Sequence, residues 1–196
     1  MKNKNTTKLW LDRQTRAKIK SDAWRIANTL ESGAVVRYHT TPACGLQSDA
    51  AHQWGVAVLA AVLKPDIHAA ELLAVLSHDT PELFTGDIPA PFKEELERVC
   101  DGVIEGREAD IKCSYFLPVF TDFCNNDVYA QVAGIVQIAD KLEALYHTSQ
   151  APTTPQSLKV NRGLAFSAER LLEDYREDLS DAQYALAGTL IERWSK

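Results

Sequence analysis

The run 128-VYAQVAGIVQIADKLEALYH-147 decides the fold. Val132, Ile135, Ala139, Leu142 and Tyr146 recur at spacings of three and four, which places them on one stripe of a long α-helix. One residue breaks the pattern. Asp140 stands in mid-helix beside Ile138 and Ala139, where a carboxylate is rare unless something satisfies it.

Outward from that helix the same period recurs. Residues 21–30 predict a short helix, stopped near Gly33. Residues 35–46 carry Arg37, Tyr38, His39, Pro42 and Gly45 and read as irregular. Ser48 is a plausible N-cap with Asp49 in the first turn, and the helix that follows runs through His52, Val56, Val58, Leu59 and Val62 to a stop before Pro65. A further helix starts near Asp66 or Ile67 and continues through Leu73 and Leu76 to His78 and Asp79, where Thr80 and Pro81 bend it. Gly86, Pro89 and Pro91 make 83–91 a loop. Helices are expected over 92–105 and around 109–120, with a loop at Asn125 and Asn126. The segment 148–157 is a second loop, and 167–194 forms one or two amphipathic helices. No alternating run compels a strand, and no repeat or low-complexity segment occurs. The expectation is an all-α fold: a single domain over 1–196, with a core at about 21–147 and a C-terminal helical appendage at about 158–196.

Composition narrows the partners. The 196 residues carry a formal net charge of -6, with Asp+Glu 27 against Lys+Arg 21. Gripping a nucleic-acid backbone calls for surplus positive charge, so no nucleic-acid partner is expected, whereas one small phosphorylated ligand can be neutralised locally. The basic stretch from Lys2 to Lys20 reads as a solvated tail and first helix. Cys44, Cys100, Cys113 and Cys124 form no C-x-x-C pair, which argues against a zinc ribbon. Residues 1–20 lack the apolar segment of a signal peptide, and the longest apolar run, 56–63, is too short to span a bilayer. A soluble, cytoplasmic protein with free thiols and no membrane partner is expected.

His78–Asp79 ends a segment whose preceding residues, 72–76, are almost wholly apolar. Ionisable groups placed there lose water, and a divalent cation is an economical partner for an imidazole and a carboxylate together. His52, in the first turns of its helix, and Asp140 match that idea. Each also has a plain reading: His52 as a surface or satisfied core histidine, Asp79 as a solvated helix end, Asp140 as a partner of Lys141 or an arginine. Together they favour a metal site.

The order His52, His78–Asp79, Asp140 resembles the signature of the HD-domain phosphohydrolases, an all-helical superfamily. The run "HDTPELFTGDIPAPFK", residues 78–93, resembles the H-D-x-x-E-x-x-x-x-D-[LI]-P-x-P-x-K pattern of bacterial 5'-deoxynucleotidases and of phage deoxynucleoside triphosphate triphosphohydrolases. Arg37 matches the arginine that these enzymes place on the substrate phosphate, and Ala51 stands where many relatives carry Glu. The resemblance covers about residues 21–147 and implies an HD-domain helical bundle. It implies that His52, His78, Asp79 and Asp140 hold a divalent ion (Mn, Co, Zn, Fe, Ni or Mg), that Glu82 orients the attacking water and that Asp87 protonates or aligns the departing 5' oxygen. Arg37 would clamp phosphate oxygens.

Plain readings stand beside these: Glu82 as a solvated helix residue, Asp87 as a turn former beside Gly86. Tyr38 either presses on the deoxyribose, excluding a 2'-hydroxyl, or packs in the core. Lys93 and His39 could reach distal phosphates but also read as surface residues, so Lys93 alone is kept as a candidate, and Trp54 is expected in the core. The resulting activity is hydrolysis of a small deoxynucleotide at the α-phosphate. A dNTP, with dATP as the candidate, is the first reading, a dNMP the second, and a non-catalytic nucleotide sensor the third. Leu171, Tyr175, Tyr184, Leu190 and Trp194 lie in a C-terminal stretch that could either pack on its own chain or close a homo-oligomer.

Overall fold

The structure is a computed structural model and describes residues 13–100, 103–115 and 127–196. Nine α-helices lie in the described residues: α1 (Arg13–Ser32), α2 (Asp49–Leu63), α3 (Ala69–Val75), α4 (Glu82–Thr85), α5 (Ala90–Cys100), α6 (Val103–Tyr115), α7 (Asp127–Gln150), α8 (Pro155–Asp174) and α9 (Asp181–Trp194). The fold is the all-α helical bundle expected.

Helix α7 is the spine. Val132, Ile138, Ala139, Leu142 and Leu145 are fully buried along it, and α2, α3, α8 and α9 all pack on it. Val56, Ala60 and Leu63 of α2 cover one side, and Ala165, Ala168 and Leu172 of α8 with Ala187 and Ile191 of α9 cover another. A helix apolar on several faces belongs at a centre. Each buried Leu or Ile there contributes about 1.5–3 kcal/mol. The C-terminal helices therefore share the core of the spine, and Leu171, Tyr175, Tyr184, Leu190 and Trp194 pack against that same core.

Close contact between α2 and α7 positions the site. A Cβ on Gly55 would fall 2.5 Å from Cγ of Glu143, so only glycine lets the two helices approach there. Ser48 caps α2 as expected, its hydroxyl accepting from the Ala51 amide at 3.3 Å.

Local structure differs from expectation in five places. Helix α1 starts well before residue 21. The stretch 35–46, expected to be irregular, leads into a two-stranded antiparallel pair, β1 (Val36–Arg37) and β2 (Gln47–Ser48), closed by a 3-10 turn at Pro42–Cys44. Two-residue strands are too short to show a period. The expected loop at 83–91 holds α4 and the start of α5. The expected loop at 148–157 is mostly helix, since α7 runs to Gln150 and Pro155 opens α8. Finally, α3 stops at Val75 and does not reach His78–Asp79. Residues 76–81 instead form successive tight turns, with the amides of Ser77, Thr80 and Glu82 donating to Ala74, Ser77 and Asp79. Pro81 has no amide to continue a helix, and the Thr80 hydroxyl donates to the Ser77 carbonyl at 2.9 Å. The expected basic tail at 1–12, most of the loop before α7 and the end of the 109–120 helix lie outside the described residues.

Among the described residues, no helix is long and apolar enough to cross a membrane.

Candidate active site

The four expected ligands converge. One atom each from His52, His78, Asp79 and Asp140 lies within 4.8 Å of all the others. His52 Nε2 is 3.0 Å from Asp140 Oδ1 and 3.4 Å from Asp79 Oδ2, while His78 Nε2 is 3.3 Å from Asp79 Oδ2. Three elements deliver them: α2 carries His52, the turns after α3 carry His78 and Asp79, and α7 carries Asp140.

The outer nitrogen of each imidazole is already engaged. His78 Nδ1 lies 2.6 Å from the Val75 carbonyl, an acceptor, so it carries the proton and leaves a lone pair on Nε2. His52 Nδ1 meets Glu143 Oε2 at 2.5 Å, which does the same. Both Nε2 atoms are buried without a hydrogen-bond partner among the described residues and face carboxylate oxygens. Lone pairs facing lone pairs call for a cation between them. Two imidazoles and two carboxylates suit a divalent ion, and an imidazole backed by a carboxylate is the usual support for such a ligand. The donor set fits the metal.

The charges tell the same story. Burial pulls the His52 imidazolium down, yet Asp140, Asp79 and Glu143 outweigh burial and carry it up to about 11, so this spot strongly favours positive charge. Burial pushes Asp79 up, but His78, His52 and Arg37 hold it well below the carboxylate range. Lys141 contributes beside Asp140 at 2.8 Å, one of the plain partners considered for that residue.

Arg37, fixed by its pairing with Gln47 across the strands, reaches Asp79 at 2.5 Å and stands 3.7 Å from both Glu82 and Asp49. Glu82 opens α4. Burial, reinforced by Asp79, drives its carboxyl up to about 9. Asp87 Oδ2 accepts from the Tyr38 amide at 3.0 Å and lies 3.7 Å from the half-exposed His39. Lys93 gives its ammonium to Glu108 at 2.8 and 3.0 Å. Arg37, Tyr38, Asp79, Glu82, Asp87 and Lys93 line one cavity of about 850 Å³, whose walls also include His78, Asp140, Lys141 and Lys159. That volume suits a nucleotide.

Three features were missed or misplaced in the sequence. Glu143, buried on α7 one turn after Asp140, is the support of His52; its spacing from Asp140 was the available signal. Asp49, expected in the first turn of its helix and found there, is fully buried, its other oxygen taken by Gln53 at 2.6 Å. Trp54, expected in the core, is 69% exposed. Helix α2 is apolar on both faces, so its period could not say which face is covered.

The comparisons agree with this geometry. The HD domain family matches residues 34–121. A dATP triphosphohydrolase of Salmonella phage PMBT28 is 33% identical over 135 residues, 57% of this chain. That match spans 59% of the relative's own length. The solved structure of the cyanophage S-2L HD phosphohydrolase DatZ, bound to dA and one catalytic Zn2+ ion, shares the fold with a TM-score of 0.60 at 18% identity. The likeness covers 86% of this chain and 92% of that one. Over residues 34–121 the chain is thus similar to the HD domain family, and its fold is that of the DatZ structure.

Proposed function

We propose that the chain is a metal-dependent phosphohydrolase that attacks the α-phosphorus of a deoxynucleoside triphosphate, releasing deoxynucleoside and tripolyphosphate. The observation that carries this is the pair of buried, partnerless Nε2 atoms facing Asp79 and Asp140. The dATP triphosphohydrolase relative and the dA-bound DatZ neighbour support the substrate class. Lys159, a cation of α8 that lines the same cavity, supports a triphosphate over a monophosphate.

His52, His78, Asp79 and Asp140 would hold the ion, of which Mn, Co, Zn, Fe, Ni and Mg are all acceptable to this donor set. When bound it supplies Lewis acidity toward the phosphoryl group and lowers the pKa of water. Arg37 leaves part of its carboxylate shell to clamp phosphate oxygens with its planar fork. Glu82 orients the attacking water from the edge of the cluster. Asp87 keeps one oxygen on the Tyr38 amide, leaving the other for the departing 5' oxygen. Tyr38 walls the deoxyribose against a 2'-hydroxyl. Lys93 lines the same cavity and would have to release Glu108 to reach a phosphate.

The test is to incubate the metal-loaded protein with each dNTP and dNMP and to identify products by chromatography. Tripolyphosphate with deoxynucleoside is the expected result. Orthophosphate from dNMP alone would replace this reading with a 5'-deoxynucleotidase, and turnover of neither would replace it with a nucleotide-binding sensor.

A further inference from the structure

We propose that His147 is a positioning residue that sets the sugar wall of the site by bracing Tyr38. This rests on the deoxynucleotide reading above and adds a residue outside the HD-type motifs.

Among the described residues, Tyr38 is the one non-glycine with positive φ, at 61°. A bulky side chain rarely adopts that conformation, and it persists only where the surroundings over-determine it. Three contacts do so. The Tyr38 amide donates to Asp87 Oδ2 at 3.0 Å, and the Tyr38 carbonyl accepts from the Thr41 amide at 2.9 Å. Both hold the backbone only. The ring is held by His147, whose imidazole stacks on it with centroids 4.9 Å apart and planes at 21°.

His147 is itself braced. Its Nε2 sits 3.4 Å from the Gly45 carbonyl, at the end of the 3-10 turn, where φ is 79°. It also stands on α7, seven residues and two helical turns after the ligand Asp140, so both occupy one face. The two are thus spaced by a rigid rod of about 10 Å. Helix α7 then carries the ligand Asp140, the support Glu143 and the brace His147 in a row. The distance from the metal cluster to the sugar wall is fixed by a helix and not by a loop.

The test uses the metal-loaded full chain with His147→Ala and His147→Phe. Rates and affinities are compared for dATP and ATP. His147→Ala is expected to lower the preference for dATP about 2- to 10-fold, mainly through a raised KM, with metal content unchanged. His147→Phe, which restores a stacking ring, is expected to recover most of that preference. Undiminished preference in His147→Ala, or no recovery in His147→Phe, would overturn the proposal. Loss of metal together with preference would also overturn it, since His147 would then be supporting the ligand cluster. Calorimetric affinities carry the same comparison without turnover. A chain that binds dATP but does not hydrolyse it would therefore sink the phosphohydrolase reading and still decide the role of His147.

Discussion

Glu143 Oε2 lies 2.5 Å from Nδ1 of His52, and the two residues are brought together by the glycine-permitted approach of α2 to α7. The carboxylate orients the ring and raises the basicity of its free nitrogen. Gln47 donates to the other Glu143 oxygen at 2.7 Å, so the carboxylate itself is held. Glu143→Ala is expected to weaken zinc binding about 10- to 100-fold, with Glu143→Gln losing less. Competition titration against a chelator measures this. An unchanged affinity in the alanine variant would remove Glu143 from the site.

Asp140 would serve as a ligand in the proposed site as well as pairing with Lys141. Asp140→Ala is expected to abolish both stoichiometric metal binding and turnover. Elemental analysis of the purified variant, with circular dichroism to confirm helical content, provides the check. Retained turnover would contradict the ligand set.

Asp49 supplies a pH signature in the metal-free protein. Burial first, then Asp79, raises its carboxyl from 3.8 to about 6, against the pull of Arg37. A carboxyl whose pKa rises on folding binds its proton more tightly when folded. Its favourable contribution is therefore present at low pH and is lost as pH climbs from about 4 through 6. Asp49→Asn should flatten that slope and stabilise the chelated protein at neutral pH by about 1–3 kcal/mol. Thermal melts across pH 4–8 in chelator are the measurement. A variant slope equal to the parent's would mean Asp49 stays ionised throughout.

Lys159 is exposed and lines the cavity from α8. Lys159→Ala should reduce kcat/KM for a dNTP about tenfold, the worth of one charge-assisted phosphate contact, and leave any dNMP activity unchanged. Equal losses on both substrates would place Lys159 away from the distal phosphates.

Much of the architecture could be read in the chain. The cap at Ser48, the stop before Pro65 and the stripe from Val132 to Leu142 appear in the structure as expected, because caps, proline and periodicity act between near neighbours, whereas Tyr146 at the end of that stripe is exposed. The convergence of His52, His78, Asp79 and Asp140 was also legible, through carboxylates stranded in apolar company. The end of α3 was not. Whether a helix carries on through His78 depended on Pro81 and on hydroxyl-to-carbonyl bonds from Ser77 and Thr80, whose balance is set by what the segment packs on.

The local chemistry was therefore settled by the residues themselves: which segments coil, where they break and which side chains cannot be left without a counter-charge. Tertiary packing alone decided that Glu143 backs His52, that Asp49 is buried while Trp54 is not, and that His147 meets the ring of Tyr38. Each of those depends on which of two similar faces a helix turns inward, and that choice is made by contacts between residues far apart in the chain.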